Sequence, residues 1–287
     1  MKRILLLVLL AAVLLSGCKN GNEKEPKQEQ ENNVLPEGTE MHVLSLGKAD
    51  SILILADGEA MLIDAGYPEQ GNQIIEYLKA QGVTKLKYVV LTHGDRDHVG
   101  GMEAVIRAFD VEKVFLSPKK EKSAEYIGMM QAISDKNIPY SVPELQSTFT
   151  LGKGVFTVLG PGEKAIEDGS DNDCSLVFRY VYEGRSVLLM GDALGKTEKE
   201  MREQGYEIQS EVLKVGHHGK TDATQKKFVK EVAPSYAVIT CGSGDDQPAE
   251  DVLRVLQAFS VEVYRTDQRG TVVFATKGDR WEVRTER

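Results

Sequence analysis

The sequence predicts an α/β fold, and three observations point to it. Apolar runs of strand length alternate with stretches of helical periodicity along most of the 287 residues. The histidines and aspartates able to hold a metal fall just past predicted strands, where open α/β sheets build their sites. A hairpin-like segment also occurs twice, which suggests two stacked half-domains with a site between them.

In chain order, Met41 to Leu46 and Ser51 to Leu55 read as strands with Gly47 between them, and Ala60 to Asp64 as a third. Gln70 to Gln81 is an amphipathic helix, because Ile74, Ile75 and Leu78 share one face. Strand Lys87–Leu91, helix Glu103–Phe109, strand Lys113–Ser117 and helix Lys122–Ser134 follow. Ile138 to Leu159 reads as several short strands. Gly152-Lys153-Gly154 and Gly160-Pro161-Gly162 read as hairpin turns, since neither leads into a helical pattern. Lys119-Lys120-Glu121-Lys122 reads as a solvated helix start. The hairpin then recurs: Ser51 precedes Asp64 by 13 residues, and Ser175 precedes Asp192 by 17. Beyond it, helices Thr197–Gln204, Thr224–Val232 and Ala249–Phe259 alternate with strands Glu211–Val215, Ser235–Thr240 and Val261–Arg265. Strands at Thr271–Ala275 and Trp281–Val283 close the chain.

With 41% apolar and 28% charged residues, positions 39–287 suit one globular domain with a sizeable core. The start differs. Lys2 and Arg3 precede the apolar run Ile4–Leu15, which is too short to span a bilayer comfortably, and Leu15-Ser16-Gly17-Cys18 follows. That pattern over residues 1–17 is a secretory signal, and the cysteine after small residues resembles a bacterial lipoprotein signal. The resemblance implies lipidation of Cys18 and a membrane anchor on the outer face of the cytoplasmic membrane. Residues 18–38, rich in Lys, Glu, Asn and Gln, form a flexible tether. Losing Lys2 and Arg3 takes the net charge from −9 to −11, a surface with no general attraction for nucleic acid. Cys174 and Cys241 make no disulfide framework.

The chemistry concentrates in Thr92-His93-Gly94-Asp95-Arg96-Asp97-His98-Val99-Gly100-Gly101. Two histidines and two aspartates within six residues, on a strand-to-helix loop, are what a hard or borderline divalent metal needs. Of five histidines, four form two tight pairs, His93/His98 and His217/His218, each past a predicted strand. Asp64 and Asp192 also stand at strand ends. His42 lies inside a strand and reads as structural.

Thr-His-x-Asp-x-Asp-His-x-Gly-Gly is similar to the signature of the metallo-β-lactamase superfamily, with Asp95 where a second histidine usually stands. That variant resembles the hydrolase domain of ComEC-type competence DNA-uptake proteins and their free-standing relatives. Leu44-Ser45-Leu46-Gly47-Lys48-Ala49-Asp50-Ser51 resembles the family's opening strand and turn, and Leu62-Ile63-Asp64-Ala65-Gly66 its first motif. Asn172 to Val177, Leu189 to Ala193, Leu213 to Gly219, and Tyr264 to Asp267 with Gly270 resemble later segments. The resemblance implies an αββα four-layer sandwich with a dinuclear site at the sheet ends. It departs in three places. No histidine lies between Phe149 and Asp192, which leaves Asp171, Asn172, Asp173 or water to stand in. Asp246-Gln247-Pro248 stands where relatives often have Gly-His-Pro, and Lys220 where a serine often follows.

On that resemblance His93 and Asp95 hold one metal, Asp97 and His98 the second, and Asp192 bridges both. His217 is the favoured partner of the second metal, with His218 facing substrate and Lys220 able to screen the leaving group. Asp64 and Asp173 are supporting residues, Asp64 orienting the ligand loop. The metals are expected to be Zn2+ or Mn2+, Asp95 hardening the site. Two close metals bring a bridging water toward deprotonation near neutrality. The expected activity is a membrane-anchored phosphodiesterase or nuclease taking a phosphate-containing substrate such as DNA. The alternatives are a lactone, thioester or β-lactam hydrolase, or a metal-binding lipoprotein without turnover.

Overall fold

The computed structural model describes residues 35–287. The expected signal segment at residues 1–17, Cys18, and the tether up to residue 34 lie outside the described residues. Among the described residues, no helix is long and apolar enough to cross a membrane.

The chain first lays down β1 (Thr39–Val43), β2 (Ile52–Ala56), β3 (Glu59–Ile63), β4 (Lys85–Leu91), β5 (Asp110–Leu116) and β6 (Tyr140–Ser141). Helices α1 (Gly71–Ala80), α2 (Arg96–Val99), α3 (Met102–Ala108) and α4 (Ala124–Asp135) connect the later ones. A second set follows: β7 (Thr148–Leu151), β8 (Gly154–Gly160), β9 (Val177–Tyr182), β10 (Arg185–Leu189), β11 (Val212–Lys214), β12 (Tyr236–Ile239) and β13 (Glu262–Arg265). Its helices are α5 (Glu163–Asp168), α6 (Gly195–Glu203), α7 (Lys226–Val232), α8 (Glu250–Ala258) and α9 (Thr266–Arg269). Finally β14 (Val272–Lys277) and β15 (Arg280–Thr285) return to the first sheet. The two sheets run β15-β14-β1-β2-β3-β4-β5-β6 and β13-β12-β11-β10-β9-β8-β7.

Three buried clusters fill the spaces between four layers. Leu53, Leu55, Leu62 and Val89 pack outward against Ile74 and Leu78 of α1, Ile106 of α3 and Met129 of α4. Ile54, Met61, Val90 and Phe274 point inward to meet Phe156, Phe178 and Tyr180 of the second sheet. On the far side Leu188, Leu213 and Ala237 pack under Met201, Phe228 and Leu256. The expected αββα sandwich is therefore the fold. Burial on both faces explains why β2 reads as an unbroken apolar run, Ile-Leu-Ile-Leu-Ala, and not as an alternation. Each fully buried Leu or Ile contributes about 2 kcal/mol.

The repeated hairpin corresponds to β2–β3 in one sheet and β9–β10 in the other. Each hairpin is extended by parallel strands, β4 and β5 after the first and β11 to β13 after the second. The turn at Gly152-Lys153 joins β7 to β8 as expected. Gly160-Pro161-Gly162 is a correction: Gly162 is the N-cap of α5, so the segment leads into a helix. The helix has six residues, too few for its periodicity to stand out. Lys119 to Lys122 precede α4, whose N-cap Ser123 accepts the Tyr126 N–H. Cys174 and Cys241 are free and buried.

Candidate metal centre

The strand β4 delivers Thr92 and His93, and the chain then turns into α2, which carries Asp97 and His98. Backbone hydrogen bonds clamp this loop. Asp50 N–H donates to the Asp97 carbonyl (3.1 Å), Ala65 N–H to the His98 carbonyl (2.8 Å), and Gly101 N–H to the Ala65 carbonyl (3.0 Å). A Cβ on Gly101 would stand 2.3 Å from that carbonyl oxygen, so only glycine fits. Asp64 takes a left-handed φ of 58° at the end of β3. Its carboxylate accepts the Thr92 N–H (2.8 Å) and hydroxyl (2.7 Å) and lies 2.7 Å from His98 Nδ1. With Nδ1 so engaged, His98 Nε2 faces inward as the free nitrogen.

The second half supplies Asp192, past β10, and the pair after β11. His217 and His218 both adopt left-handed backbone, φ 44° and 52°. Two such residues in succession cost about 1–3 kcal/mol each, and they send the two rings to different surroundings. His218 is buried, with Nδ1 3.1 Å from both the Thr240 carbonyl and hydroxyl oxygens. Its Nε2 stands 3.3 Å from Asp192 Oδ2 and 3.6 Å from Asp97 Oδ2. His217 faces the rim. Its Nδ1 lies 2.7 Å from Asp222 Oδ1, and its Nε2 3.2 Å from Asn172 Nδ2.

The placement is the reverse of the one favoured on the resemblance: His218 joins the inner cluster and His217 faces outward. Lys220 also departs from expectation: its ammonium donates to the Asp245 carbonyl (2.6 Å). Asp173 binds the Ser170 N–H (3.2 Å) and hydroxyl (3.1 Å), and so braces a local turn. Asp171 pairs with Lys119. Asn172 is the member of that trio that touches a candidate histidine. His42 bonds Tyr77 and Glu40 within the fold.

Three overlapping sets have ligand atoms within 4.8 Å of one another: Asp50, Asp64 and His98, and two further sets at the inner cluster, His93, His98 and Asp192, and Asp97, His98 and His218. His98 Nε2 is 3.4 Å and His93 Nε2 3.9 Å from Asp192 Oδ2, so Asp192 stands between the two inner sets. Asp95 Oδ2 lies 3.6 Å from His93 Nε2 on the more exposed side. The buried atoms His93 Nε2, His98 Nε2, His218 Nε2 and Asp192 Oδ1 have no aligned hydrogen-bond partner. Inward-facing imidazole nitrogens and carboxylate oxygens left without partners fit a divalent cation.

The charges are tightly linked. Burial works against ionising Asp192, but His218 and His98 outweigh it and hold the carboxyl well below its ordinary range. Burial likewise opposes a charge on His98, and Asp192 and Asp64 outweigh it and push the imidazole well above its ordinary range. Behind His218, Asp50 accepts the Thr240 hydroxyl and pairs with the fully buried Lys214 at 2.8 Å. In front, the Lys48 ammonium stands 3.1 Å from Asp97 Oδ2. The sequence alone signals no role for Lys48, Asp50 or Lys214, although the first two lie in the Leu44–Ser51 turn and the third in the Leu213–Gly219 segment.

Residues 44–242 match the family described as Metallo-beta-lactamase superfamily. The chain is 29% identical over 264 residues to ComE operon protein 3 of Bacillus subtilis, covering 83% of this chain and 33% of that protein. It is 29% identical over 237 residues to Competence protein ComA of Neisseria gonorrhoeae, covering 81% and 31%. The chain thus spans about a third of the length of the curated relatives it matches. Among solved structures, the metallo-beta-lactamase fold protein YhfI of Bacillus subtilis superposes with a TM-score of 0.57 at 13% identity. That match covers 83% of this chain and 100% of YhfI, and shows a shared fold.

Proposed function

The chain belongs to the metallo-beta-lactamase superfamily, and from that premise we propose that it is a two-metal phosphodiesterase, with nucleic acid among its substrates, working outside the cytoplasmic membrane. The observation that carries the reading is that three histidine Nε2 atoms stand 3.3, 3.4 and 3.9 Å from Asp192 Oδ2 and, like Asp192 Oδ1, are buried without aligned partners. A buried polar atom left unsatisfied costs about 1–3 kcal/mol, so several facing one point are held for a ligand.

His93 and Asp95 would hold one cation, Asp97, His98 and His218 the other, and Asp192 both. When bound, the pair supplies an activated water at neutral pH and neutralises charge developing on a phosphoryl oxygen. The histidine-with-aspartate donor set accommodates Zn2+ or Mn2+. The rim residue His217 would carry the proton. Its Nδ1–H faces Asp222 and its Nε2 accepts from Asn172 Nδ2, so Nε2 can deliver a proton to the leaving oxygen only once it has been protonated in place of the Asn172 hydrogen bond. The acidic net charge of −9 gives no general pull on DNA, so the substrate phosphate has to be bound locally. The resemblance of the ligand loop to that of competence DNA-uptake proteins favours DNA as the substrate.

An anchor at Cys18 fits the way the chain enters the fold. Leu35 to Gly38 line a cleft with the turns at Asp57-Gly58, Gly152-Lys153 and Glu183. Strands β3 and β10 start at two of these turns and end beside Asp64 and Asp192. Five residues of strand span roughly 17 Å, so Leu35 to Gly38, where the described chain begins, lie at the other end of these strands from Asp64 and Asp192. A tethered domain would then present its centre away from the membrane.

The test is to measure bound metal in the purified chain and to assay a chromogenic phosphodiester, a lactone and single-stranded DNA with added Mn2+ or Zn2+. Turnover of the diester and DNA is expected. No turnover of any substrate, or an Asp97→Ala variant as active as the parent, defeats the reading. Anchoring is tested separately: Cys18→Ser should move the protein from the membrane to the soluble fraction, and continued membrane association would exclude lipidation as the anchor.

A further inference from the structure

The Lys48 ammonium is the charged group at the mouth that this chemistry leaves without a task. Nζ stands 3.1 Å from Asp97 Oδ2, the lysine side chain 24% and the aspartate side chain 10% exposed. Among the described residues, Lys48 is the only lysine or arginine within ion-pair distance of an expected metal ligand. Its competitors are otherwise engaged. Lys214 is fully buried, with Asp50 Oδ2 at 2.8 Å and the Val215 carbonyl at 3.0 Å. Lys119 pairs with Asp171, and Lys220 with the Asp245 carbonyl.

The main chain beneath Lys48 is fixed. Two residues on, Asp50 N–H donates to the Asp97 carbonyl at 3.1 Å, which ties the lysine's loop to the ligand loop. On the other side Gly242 closes in: a Cβ there would sit 3.5 Å from Lys48 N. The ammonium is therefore mounted on a fixed base at the edge of the cluster, and its partly exposed side chain can turn toward the mouth. Asp97 is both an expected ligand of the second cation and the partner of Lys48. A cation on that carboxylate neutralises the charge that attracts the ammonium and repels the ammonium itself. The lysine then needs another anion.

We propose that Lys48 is the substrate-anion contact of this centre, binding a non-bridging phosphoryl oxygen and so selecting phosphodiester anions over neutral carbonyl esters. A phosphodiester carries a negative charge shared by two non-bridging oxygens, whereas a lactone or ester carbonyl carries none. An ammonium offers three donors, and a charge-assisted hydrogen bond is about twice as strong as a neutral one. The proposal rests on the phosphodiesterase reading above and names the residue that gives it charge selectivity.

The test uses the full chain with two neutral variants, Lys48→Met and Lys48→Gln, and the charge-keeping Lys48→Arg. Calorimetry measures inorganic phosphate binding to the Mn2+-loaded proteins and Mn2+ binding to the metal-stripped ones. Rates are taken on bis(p-nitrophenyl) phosphate, an anion, and p-nitrophenyl acetate, which is neutral. The neutral variants should bind phosphate about tenfold or more weakly and raise the diester KM by a similar factor. They should keep the parent's kcat/KM on the neutral ester, should bind Mn2+ at least as tightly, and Lys48→Arg should restore most of the phosphate affinity. Phosphate binding that is absent from the parent, or equal in parent and neutral variants, overturns the proposal. So does a loss of Mn2+ affinity, or an equal loss on both substrates, since either places Lys48 in the metal centre or the fold. Should the parent turn over neither substrate, the phosphodiesterase reading fails while the phosphate titration still decides Lys48.

Discussion

His98 Nδ1 and Asp64 Oδ2 lie 2.7 Å apart, both side chains buried, at a junction between the first hairpin and the ligand loop. The carboxylate accepts the Nδ1 proton, so Nε2 is the nitrogen that becomes a lone-pair donor to the cluster once a cation displaces its proton.

Asp64→Asn should reverse that tautomer. An asparagine that keeps its oxygen toward the Thr92 N–H turns its amide N–H toward His98 Nδ1, and the ring proton moves to Nε2. Metal affinity should fall by about 10- to 100-fold, with the fold retained. Calorimetric titration of Mn2+ into the metal-stripped variant checks this. Unchanged affinity would show that Asp64 does not set the orientation of the ring.

The two adjacent histidines should separate cleanly. His218→Ala should lower the metal bound per chain, measured by elemental analysis. His217→Ala should keep the parent's metal content while kcat for a poor leaving group falls by about 100-fold or more. An alkyl leaving group should show the loss strongly and a p-nitrophenyl group weakly, because p-nitrophenolate needs no proton. The opposite pattern of metal content would return His217 to the ligand role.

The sequence made the layers and most of the cluster legible for identifiable reasons. Strands such as β2 and β4 are short runs rich in apolar residues and bounded by polar turns, and the ligands stand just past β4, β10 and β11. What adjacency could not resolve was ring direction. His217 and His218 differ by one position in a backbone whose left-handed conformation falls on the histidines themselves and not only on the flanking Gly219. The Asp50–Lys214 pair was hidden for another reason: its members are 164 residues apart and are joined only when the two half-domains stack. Lys48 was visible as a residue in the opening turn, but its contact with Asp97 depends on the fold. The short helix α5 followed a glycine-proline pattern that equally suits a turn.

Glu198 should make stability depend on pH. It is buried in α6 and accepts the Thr224 and Gln225 backbone N–H groups, steadying the segment that carries His217 and Asp222. Burial pushes its carboxyl up from 4.5 to about 7, against the pull of those two amides. Below pH 4.5 the group is protonated in both folded and unfolded chains, and its contribution is fully present. As pH rises to about 7 the unfolded chain releases a proton that the folded chain retains, so stability falls, and above that the loss is constant. Relative to Glu198→Gln, the parent should lose about 3 kcal/mol between pH 4.5 and pH 8 in urea unfolding. An equal difference between the two proteins at both pH values would contradict this.

The central claim is that the buried cluster is a two-metal hydrolytic centre. It is tested most directly by titrating Mn2+ into the metal-stripped chain while following bis(p-nitrophenyl) phosphate hydrolysis. No turnover is expected without metal. The rate should rise to saturation as two cations bind per chain, and Asp192→Asn, which loses the carboxylate that stands between the two sets, should stay at background. Hydrolysis that persists in chelator, or an Asp192→Asn variant that matches the parent at every Mn2+ concentration, would contradict the account.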